Sequence, residues 1–537
     1  MNEATQVLNS AVRGASYNML IQFLSRVITF LMNAYVLRHI SAELLGVVNI
    51  RLTLLYTTIL LISREAFRKA CMKKIDGVQW RQTINLLWCT VPLGVVTAIV
   101  LSCVWVFLLD KPSSDYYVWG VMAYSLAAVL ELCAEPLWIV AQAFLYVRLK
   151  VAFEAFAVLV RCVVTFSLLF VMPEWGLIIF IIAHLSYSAV YVIMYFGFGA
   201  HVLSAEFRRK QDDVHLSSYY DLLPQFHRSQ SFLNTQSAHL VLSFFTQSFL
   251  KQVLTEGERY LMTFFAILSF AEQGIYDVIN NLGSLVARFI FLPVEESFHL
   301  FFANTLIRGV PHHQQKSDSL HIASNTLFVL LRFASLVGFI ILFFGYSYSY
   351  LLLDLYGGEG LIEGSGPSLL KWYCVYVLII AINGVTECFV FATMSQKDVD
   401  RYNGKMILFS VVFLASALFL THYVGSVGFI WANCINMTAR ILHSIHYIYD
   451  YFTESGEQPL LGLMPSLPVF LSLLISAIVT ALSEVWFCNG CQLDVGNVIF
   501  HVIIGLCCLA VTAVAIFIKE KRLVEFIDRH FFPKRKD

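Results

Sequence analysis

Long apolar runs alternate with short polar segments along almost the whole chain, and this pattern predicts membrane-spanning helices. Each run is long enough to cross about 30 Å of hydrocarbon as a helix. The runs lie at 16–38, 44–63, 83–109, 118–146, 151–171, 177–199, 239–268, 277–302, 323–346, 368–393, 404–423, 426–449, 466–487 and 496–518. We therefore predict an all-α polytopic membrane protein with about fourteen transmembrane helices, seven in each half of the chain.

Segments of the first half recur in the second half, which predicts two related lobes. Gln22–Thr29 (QFLSRVIT) matches Ser248–Thr255 (SFLKQVLT) at its Phe, Leu, Val and Thr positions. Gly46 and Gly274 each begin an apolar helix farther on, again about 230 residues apart. We expect a duplicated half that folds into two pseudo-symmetric lobes.

The longest polar stretch, 200–238, predicts a cytosolic linker between the lobes. It separates an N-terminal lobe of six helices at 1–199 from a C-terminal lobe of six helices at 239–449. Residues 450–537 then hold two additional helices and a basic cytosolic tail.

Charged residues interrupt the apolar pattern most strongly in Ser248–Phe264, which carries Lys251, Glu256, Glu258 and Arg259. A charge at the bilayer centre costs roughly 2.5–3.5 kcal/mol on insertion scales, so such groups normally face a bundle interior or a wet cavity. Glu256 precedes Arg259 by three residues, a spacing that allows the two side chains to pair on a helix. Lys251 has no acidic neighbour at this spacing and is the freer cation.

Polar stripes recur in at least five predicted helices and predict a hydrated central cavity for an anionic head group, since Arg and Lys bind phosphate through charge-assisted hydrogen bonds. The candidate cavity residues are Arg26, Arg51, Lys251, Glu256, Glu258, Arg259, Asn281, Arg288, Glu295, Glu296, Glu387 and Arg440. Arg64, Glu65 and Arg68 are predicted at its cytosolic mouth. The alternative is that these charges pair and only hold the lobes together. The cavity is favoured by a surplus of arginines that have no acidic partner in the sequence pattern: Arg26, Arg51, Arg288 and Arg440.

The third to sixth spans are more uniformly apolar, and only four charged residues interrupt them: Glu131, Glu135, Glu154 and Arg161. Pro136 predicts a break in the fourth span, and Pro293 predicts a kink in the eighth.

Composition excludes a soluble protein, because 58% of the residues are hydrophobic, 13% are charged and the mean hydropathy is +0.71. The formal net charge is zero, so it does not indicate a nucleic-acid partner. Lys and Arg nevertheless concentrate on one side, and the predicted lumenal loops contain only Lys111. The positive-inside rule then predicts that both termini are cytosolic.

Signals for an enzyme, a metal or a cofactor are few. Asp398-Val399-Asp400 has the D-x-D form of metal-dependent sugar transferases, but it lies in a short connection where a solvated turn is expected. His312-His313 lacks companion ligands at metal-binding spacing. Cys488 and Cys491 could form a disulfide in a lumenal loop. We assign no catalytic residues and expect no metal and no cofactor.

Several long runs resemble the Rft family, endoplasmic-reticulum proteins associated with flipping a dolichol-linked oligosaccharide. They are QSFLKQVLTEGERYLMTF, NNLGSLVARFIFLPVEESF, AINGVTECFVFATMS, GSVGFIWANCINM, NLLWCTVPLGV and RLTLLY followed by REAFR. The resemblance covers both halves. It implies the MATE/MurJ-like fold of the MOP flippase superfamily, and as substrate pentamannosyl-chitobiosyl-diphosphodolichol, moved to the lumenal leaflet of the endoplasmic reticulum for N-glycosylation.

Two other functions stay open at this point. A non-transporting accessory protein of the N-glycosylation pathway would act with other glycosylation proteins. A membrane glycosyltransferase would elongate the glycan. The expected partners are the dolichol-linked oligosaccharide and membrane lipid, and no nucleic acid.

Overall fold

The computed structural model describes residues 30–71, 80–114, 116–143, 147–202, 222–225, 239–245, 248–249, 252, 256–362, 364–453, 455–488 and 495–531. The secondary structure within these ranges is helical, and no β-strand occurs there. The predicted all-α class is confirmed.

The chain divides into two compact units, Met1–Gly274 and Ile275–Asp537. The α-helices of the first unit are α1 (Ala42–Gly46), α2 (Thr53–Leu60), α3 (Ala66–Cys71), α4 (Trp80–Trp88), α5 (Thr90–Cys103), α6 (Tyr117–Leu132), α7 (Glu135–Ala143), α8 (Val147–Val171), α9 (Leu177–Val202) and α10 (Gly257–Phe265). Residues 30–39 and 239–245 are also helical.

Helix α11 (Phe270–Gly283) begins in the first unit and ends in the second. The α-helices that follow are α12 (Leu292–Thr305), α13 (Ser317–Gly357), α14 (Glu359–Ile362), α15 (Gly366–Thr393), α16 (Gln396–Val424), α17 (Val427–Phe452), α18 (Leu467–Phe487), α19 (Val495–Lys519) and α20 (Lys521–Phe531).

The described helices agree with the predicted spans. Ten are long and apolar enough to cross a membrane, and the bent pair Tyr117–Leu132 and Glu135–Gln142 adds one more. Helix α17 coincides with the predicted span 426–449. Two predicted spans are described only in part, since 16–29 of the span at 16–38 and seven residues of the span at 239–268 lie outside the described residues. The total of fourteen therefore stays a prediction.

The predicted break at Pro136 occurs, and the helix is irregular before Pro293, where the predicted kink itself stays a prediction. The chain bends by 43° between α6 and α7, directly before Pro136. A π-helical turn, Ala287–Phe291, precedes Pro293 in the first turn of α12. Proline lacks the N–H for an i to i−4 hydrogen bond and its ring collides with the preceding turn, which accounts for both irregularities.

The prediction that Gly46 and Gly274 begin their helices is wrong by about one turn. Their helices begin at Ala42 and Phe270, so each glycine lies in the second turn. Side-chain capping fixes the first start, because Ser41 Oγ accepts a hydrogen bond from the backbone N–H of Leu44 at 3.3 Å.

Only 200–202 and 222–225 of the predicted linker are described. The Asn85 carboxamide donates to Gln225 O at 3.0 Å and accepts from Gln225 N at 2.8 Å. The Trp88 indole donates to Leu222 O at 2.7 Å, and the Leu222 side chain is buried. These four residues fix one point of the linker to the first unit. The proposed domain boundaries themselves stay a prediction.

Candidate functional site

Two predicted cavity residues, Arg26 and Lys251, lie outside the described residues. Their proposed roles therefore stay predictions. The same holds for Cys491 of the proposed disulfide.

The pair predicted within the charged stretch is present. Arg259 Nη1 donates to Glu256 Oε2 at 3.1 Å, and both side chains are about one-quarter exposed. Glu256 immediately precedes α10, and Glu258 lies in its first turn. Tyr260 on the same helix shares a 2.9 Å hydrogen bond with Thr58, which joins the charged stretch to α2.

Arg64 and Arg68, predicted at the cytosolic mouth, pair with two glutamates inside the first unit. Arg64 Nη1 lies 3.2 Å from Glu131 Oε1 and 3.5 Å from Glu135 Oε1. Arg68 donates two hydrogen bonds, of 2.7 and 2.6 Å, to the Glu135 carboxylate. The Tyr56 hydroxyl also donates to Glu131. We call these five residues the first-unit charge cluster. Both arginine side chains are largely buried, and their placement at the cytosolic mouth stays a prediction.

The break in the fourth span builds this cluster. Glu131 lies in the last turn of α6 and Glu135 is the first residue of α7, so the bend presents both carboxylates together. The Arg68 guanidinium also lies over the Trp138 ring, 3.8 Å from its centroid. Sequence reasoning noted both glutamates but assigned them no partner. A buried carboxylate needs a cation or hydrogen-bond donors. This requirement was the signal from which cationic partners for Glu131 and Glu135 could have been predicted.

Arg51 has no comparable partner. Its side chain is 1% exposed, and its Nε and Nη1 make no hydrogen bond among the described residues. Its guanidinium lies 5.2 Å from the Phe270 ring centroid, and its carbonyl accepts from the Trp105 indole at 3.0 Å. A buried cation without an acceptor is costly, which makes Arg51 a candidate for an anionic ligand.

Three arginines of the candidate site lie in π-helical turns: Arg51 in Val47–Leu52, Arg64 in Leu61–Glu65 and Arg288 in Ala287–Phe291. Such turns are frequent at functional sites because they redirect side chains and free backbone groups. Glu65, predicted beside Arg64, lies in the same turn and is half-buried.

Two of the candidate cavity residues, Asn281 and Arg288, contact each other in the second unit. Asn281 and Arg288 are both exposed, and the Arg288 Nη2 donates to Asn281 Oδ1 at 3.5 Å. The Asn281 amide in turn donates to Asp277 at 3.0 Å. Exposed charge within a span of this length indicates contact with water rather than hydrocarbon.

Glu295 and Glu296 face different surroundings. Glu296 is exposed, whereas Glu295 is half-buried against α15. A Cβ built on Gly384 would lie 1.6 Å from Glu295 Oε1, so the absence of a side chain at Gly384 makes room for the carboxylate.

Glu387 and Arg440 bind each other, so Arg440 is not the unpaired surplus that the sequence predicts. The Arg440 guanidinium forms hydrogen bonds of 2.7 and 2.6 Å to the two oxygens of Glu387. Tyr402 donates to Glu387 at 2.5 Å and Asn383 at 3.2 Å. These contacts satisfy the buried carboxylate and join α15, α16 and α17.

The family model described as Rft protein matches residues 10–530. The chain belongs to the Rft family. It is 48% identical over 534 residues to the Xenopus tropicalis "Man(5)GlcNAc(2)-PP-dolichol translocation protein RFT1", covering 98% of both chains. It is 48% identical over 526 residues to the Mus musculus protein of that name, covering 97% of both, and 37% identical over 546 residues to the Drosophila melanogaster one, covering 95% of this chain and 97% of the relative.

Two solved structures share the fold at 12% sequence identity. One is "Lipid II flippase MurJ, inward closed conformation", with a TM-score of 0.59 and coverage of 94% of this chain and 99% of that chain. The other is an inward-facing "multidrug resistance MATE family transporter of the MOP superfamily", with a TM-score of 0.53 and coverage of 80% and 96%. The predicted MATE/MurJ-like fold is confirmed.

Proposed function

We propose that this Rft family member is a flippase that moves pentamannosyl-chitobiosyl-diphosphodolichol from the cytosolic to the lumenal leaflet of the endoplasmic reticulum. The observation that carries the proposal is the near full-length similarity to relatives named for translocating this lipid. The fold shared with a structure named as a lipid II flippase supports it.

The distribution of charge suits such a cargo. A sugar head with a diphosphate cannot enter hydrocarbon, whereas its polyprenyl tail can remain there. Two nitrogens of Arg51 lack an acceptor among the described residues, and Arg288 is exposed in a span. Each is proposed separately as a partner for phosphate oxygens, as are Lys251 and Arg259. Arg64, Arg68 and Arg440, by contrast, are engaged by carboxylates and position helices.

The orientation belongs to the same proposal. Both termini are cytosolic, because Lys and Arg concentrate in the loops on that side and Lys111 is the exception. Residues 1–199 and 239–449 form the two lobes, with 450–537 appended.

A non-enzymatic role is favoured over a glycosyltransferase. Ser395 caps α16, and Asp398 of the D-x-D sequence is its partner in the first turn. The Asp398 carboxylate accepts from Ser395 Oγ at 2.6 Å, and the Asp398 N–H donates to the same oxygen at 3.3 Å. Asp400 accepts from Gln396 at 3.4 Å. Both aspartates therefore form hydrogen bonds at the start of α16, which is a structural role.

The test is reconstitution of the pure protein into liposomes with labelled lipid-linked oligosaccharide. A flippase moves the label between leaflets over time in proportion to protein content. An accessory protein gives no movement but copurifies with glycosylation proteins, and a glycosyltransferase lengthens the glycan.

A further inference from the structure

Arg161 is a charged residue near the middle of a lipid-facing helix. It lies close to the centre of α8 (Val147–Val171), whose most apolar window is only 17% buried within the protein. The bilayer centre is about 15 Å from either surface, too far for an arginine side chain to reach water by extending along the helix. Arg161 is half-buried, and its guanidinium lies on the side of α8 that contacts Tyr187 of α9. An ionised group at this depth normally faces a wet interior.

No described carboxylate neutralises Arg161. The contact of its guanidinium among the described residues is with the ring of Tyr187, at 5.5 Å from the centroid. The nearby glutamates of the first-unit charge cluster, Glu131 and Glu135, are already bound by Arg64 and Arg68. Stacking on an aromatic ring uses the face of a guanidinium and leaves its edge, which carries the N–H donors, available.

The wall beside Arg161 is aromatic and polar. The ring of Tyr187 lies 5.9 Å from that of His184, which stacks on Tyr124 at 4.2 Å with an interplanar angle of 5°. His184 Nε2 and Ser188 Oγ are buried, and neither has a hydrogen-bond partner among the described residues. A part of the protein that touched only acyl chains would not need these groups.

We propose that Arg161 binds the diphosphate of the lipid-linked head group within the first unit. The planar guanidinium can donate two parallel hydrogen bonds to phosphate oxygens, and Tyr187 holds its plane. The identity of the lipid rests on the proposed function. The diphosphate chemistry could equally come from a free diphosphate, so the experiment separates the two sources.

The test measures binding to the purified full-length protein in detergent by fluorescence anisotropy. The probes are a labelled short-chain polyprenyl-diphosphate-chitobiose, competed by inorganic diphosphate, and the matching neutral polyprenol. Arg161→Gln is expected to weaken binding of the diphosphate lipid about tenfold to a hundredfold, because it removes a charge-assisted pair of hydrogen bonds. The matched control is Arg401→Gln, which removes an exposed cation at the start of α16 and leaves affinity unchanged.

The outcomes separate this inference from the proposed function. Equal affinity of the wild type and Arg161→Gln for the diphosphate lipid overturns the role of Arg161 and leaves the flippase proposal intact. Arg161-dependent binding of inorganic diphosphate without binding of the lipid supports the site but overturns the proposed cargo. A wild type that binds neither probe overturns both.

Arg161→Lys covers the case in which Arg161→Gln fails to fold. Lysine keeps the charge but lacks the planar guanidinium that donates two parallel hydrogen bonds. A folded Arg161→Lys protein with severalfold weaker lipid binding therefore supports the proposal. Full affinity of Arg161→Lys, with Arg161→Gln unfolded, would assign Arg161 a structural charge only and overturn it. The midpoint of thermal unfolding reports folding in each variant.

Discussion

Gly46 and Gly274 lie at a backbone-to-backbone crossing of α1 and α11. A Cβ on Gly46 would lie 1.9 Å from Phe270 O, and a Cβ on Gly274 would lie 2.1 Å from Ala42 O. The two glycines occupy matching positions in the proposed repeat. Because the obstructing atoms belong to backbone, neither helix can accept a methyl group without moving away from the other.

Gly46→Ala and Gly274→Ala are therefore expected to destabilise the protein by about 1–3 kcal/mol through overpacking. The measurement is the midpoint of thermal unfolding in detergent. Gly404→Ala is the matched control, because a Cβ there meets no atom within 4 Å and the substitution is in a helix. It should be neutral or stabilising, since alanine favours helix over glycine. Equal midpoints for all three variants would contradict the crossing.

The Arg68–Glu135 pair is expected to contribute strongly to stability. Glu135→Gln should cost about 3–5 kcal/mol, because it leaves the Arg68 guanidinium buried with a weaker partner. A double-mutant cycle with Arg68→Gln measures the coupling. The same cycle on the exposed Arg401–Asp398 pair, 3.8 Å apart, should give almost none. Additive effects at Arg68 and Glu135 would refute the pairing.

Arg440 and Arg288 are expected to differ in what their loss affects. Arg440→Gln should lower the unfolding midpoint, because Glu387 then loses its bidentate partner. Arg288→Gln should leave stability within about 0.5 kcal/mol, as for most surface substitutions, but slow lipid translocation. The midpoint of thermal unfolding is measured for both purified variants. N-glycan occupancy is measured for both in cells that lack the endogenous protein. Full glycosylation by Arg288→Gln at equal abundance would remove Arg288 from the site.

The anchor of the linker at Asn85 is expected to protect the linker from proteolysis. Asn85→Ala removes both hydrogen bonds to Gln225 and should raise the cleavage rate within 203–238 several-fold, since local opening then costs less. Limited proteolysis with mass spectrometry of the fragments measures this rate. Ser186→Ala, which removes a hydrogen bond within α9 that does not involve the linker, serves as the control. An unchanged cleavage rate for Asn85→Ala would show that the anchor does not restrain the linker.

Some features of the candidate site follow from local sequence. The Glu256–Arg259 pair could be predicted because its partners are three residues apart, within reach on one helix. The irregularities at Pro136 and Pro293 could be predicted because proline acts on its own turn. The partners of Arg68 and Arg440 could not, since Glu135 and Glu387 lie 67 and 53 residues away in sequence.

The sequence by itself determined that this is an all-α membrane protein of the Rft type, because span length, hydropathy and family motifs are local properties of the chain. Tertiary structure alone decided which charges are bound and which remain for a ligand. Helical periodicity identifies the polar face of a span but not the helix opposite it. Arg440 and Arg51 look alike in sequence, yet packing places a glutamate against the first and the Phe270 ring beside the second.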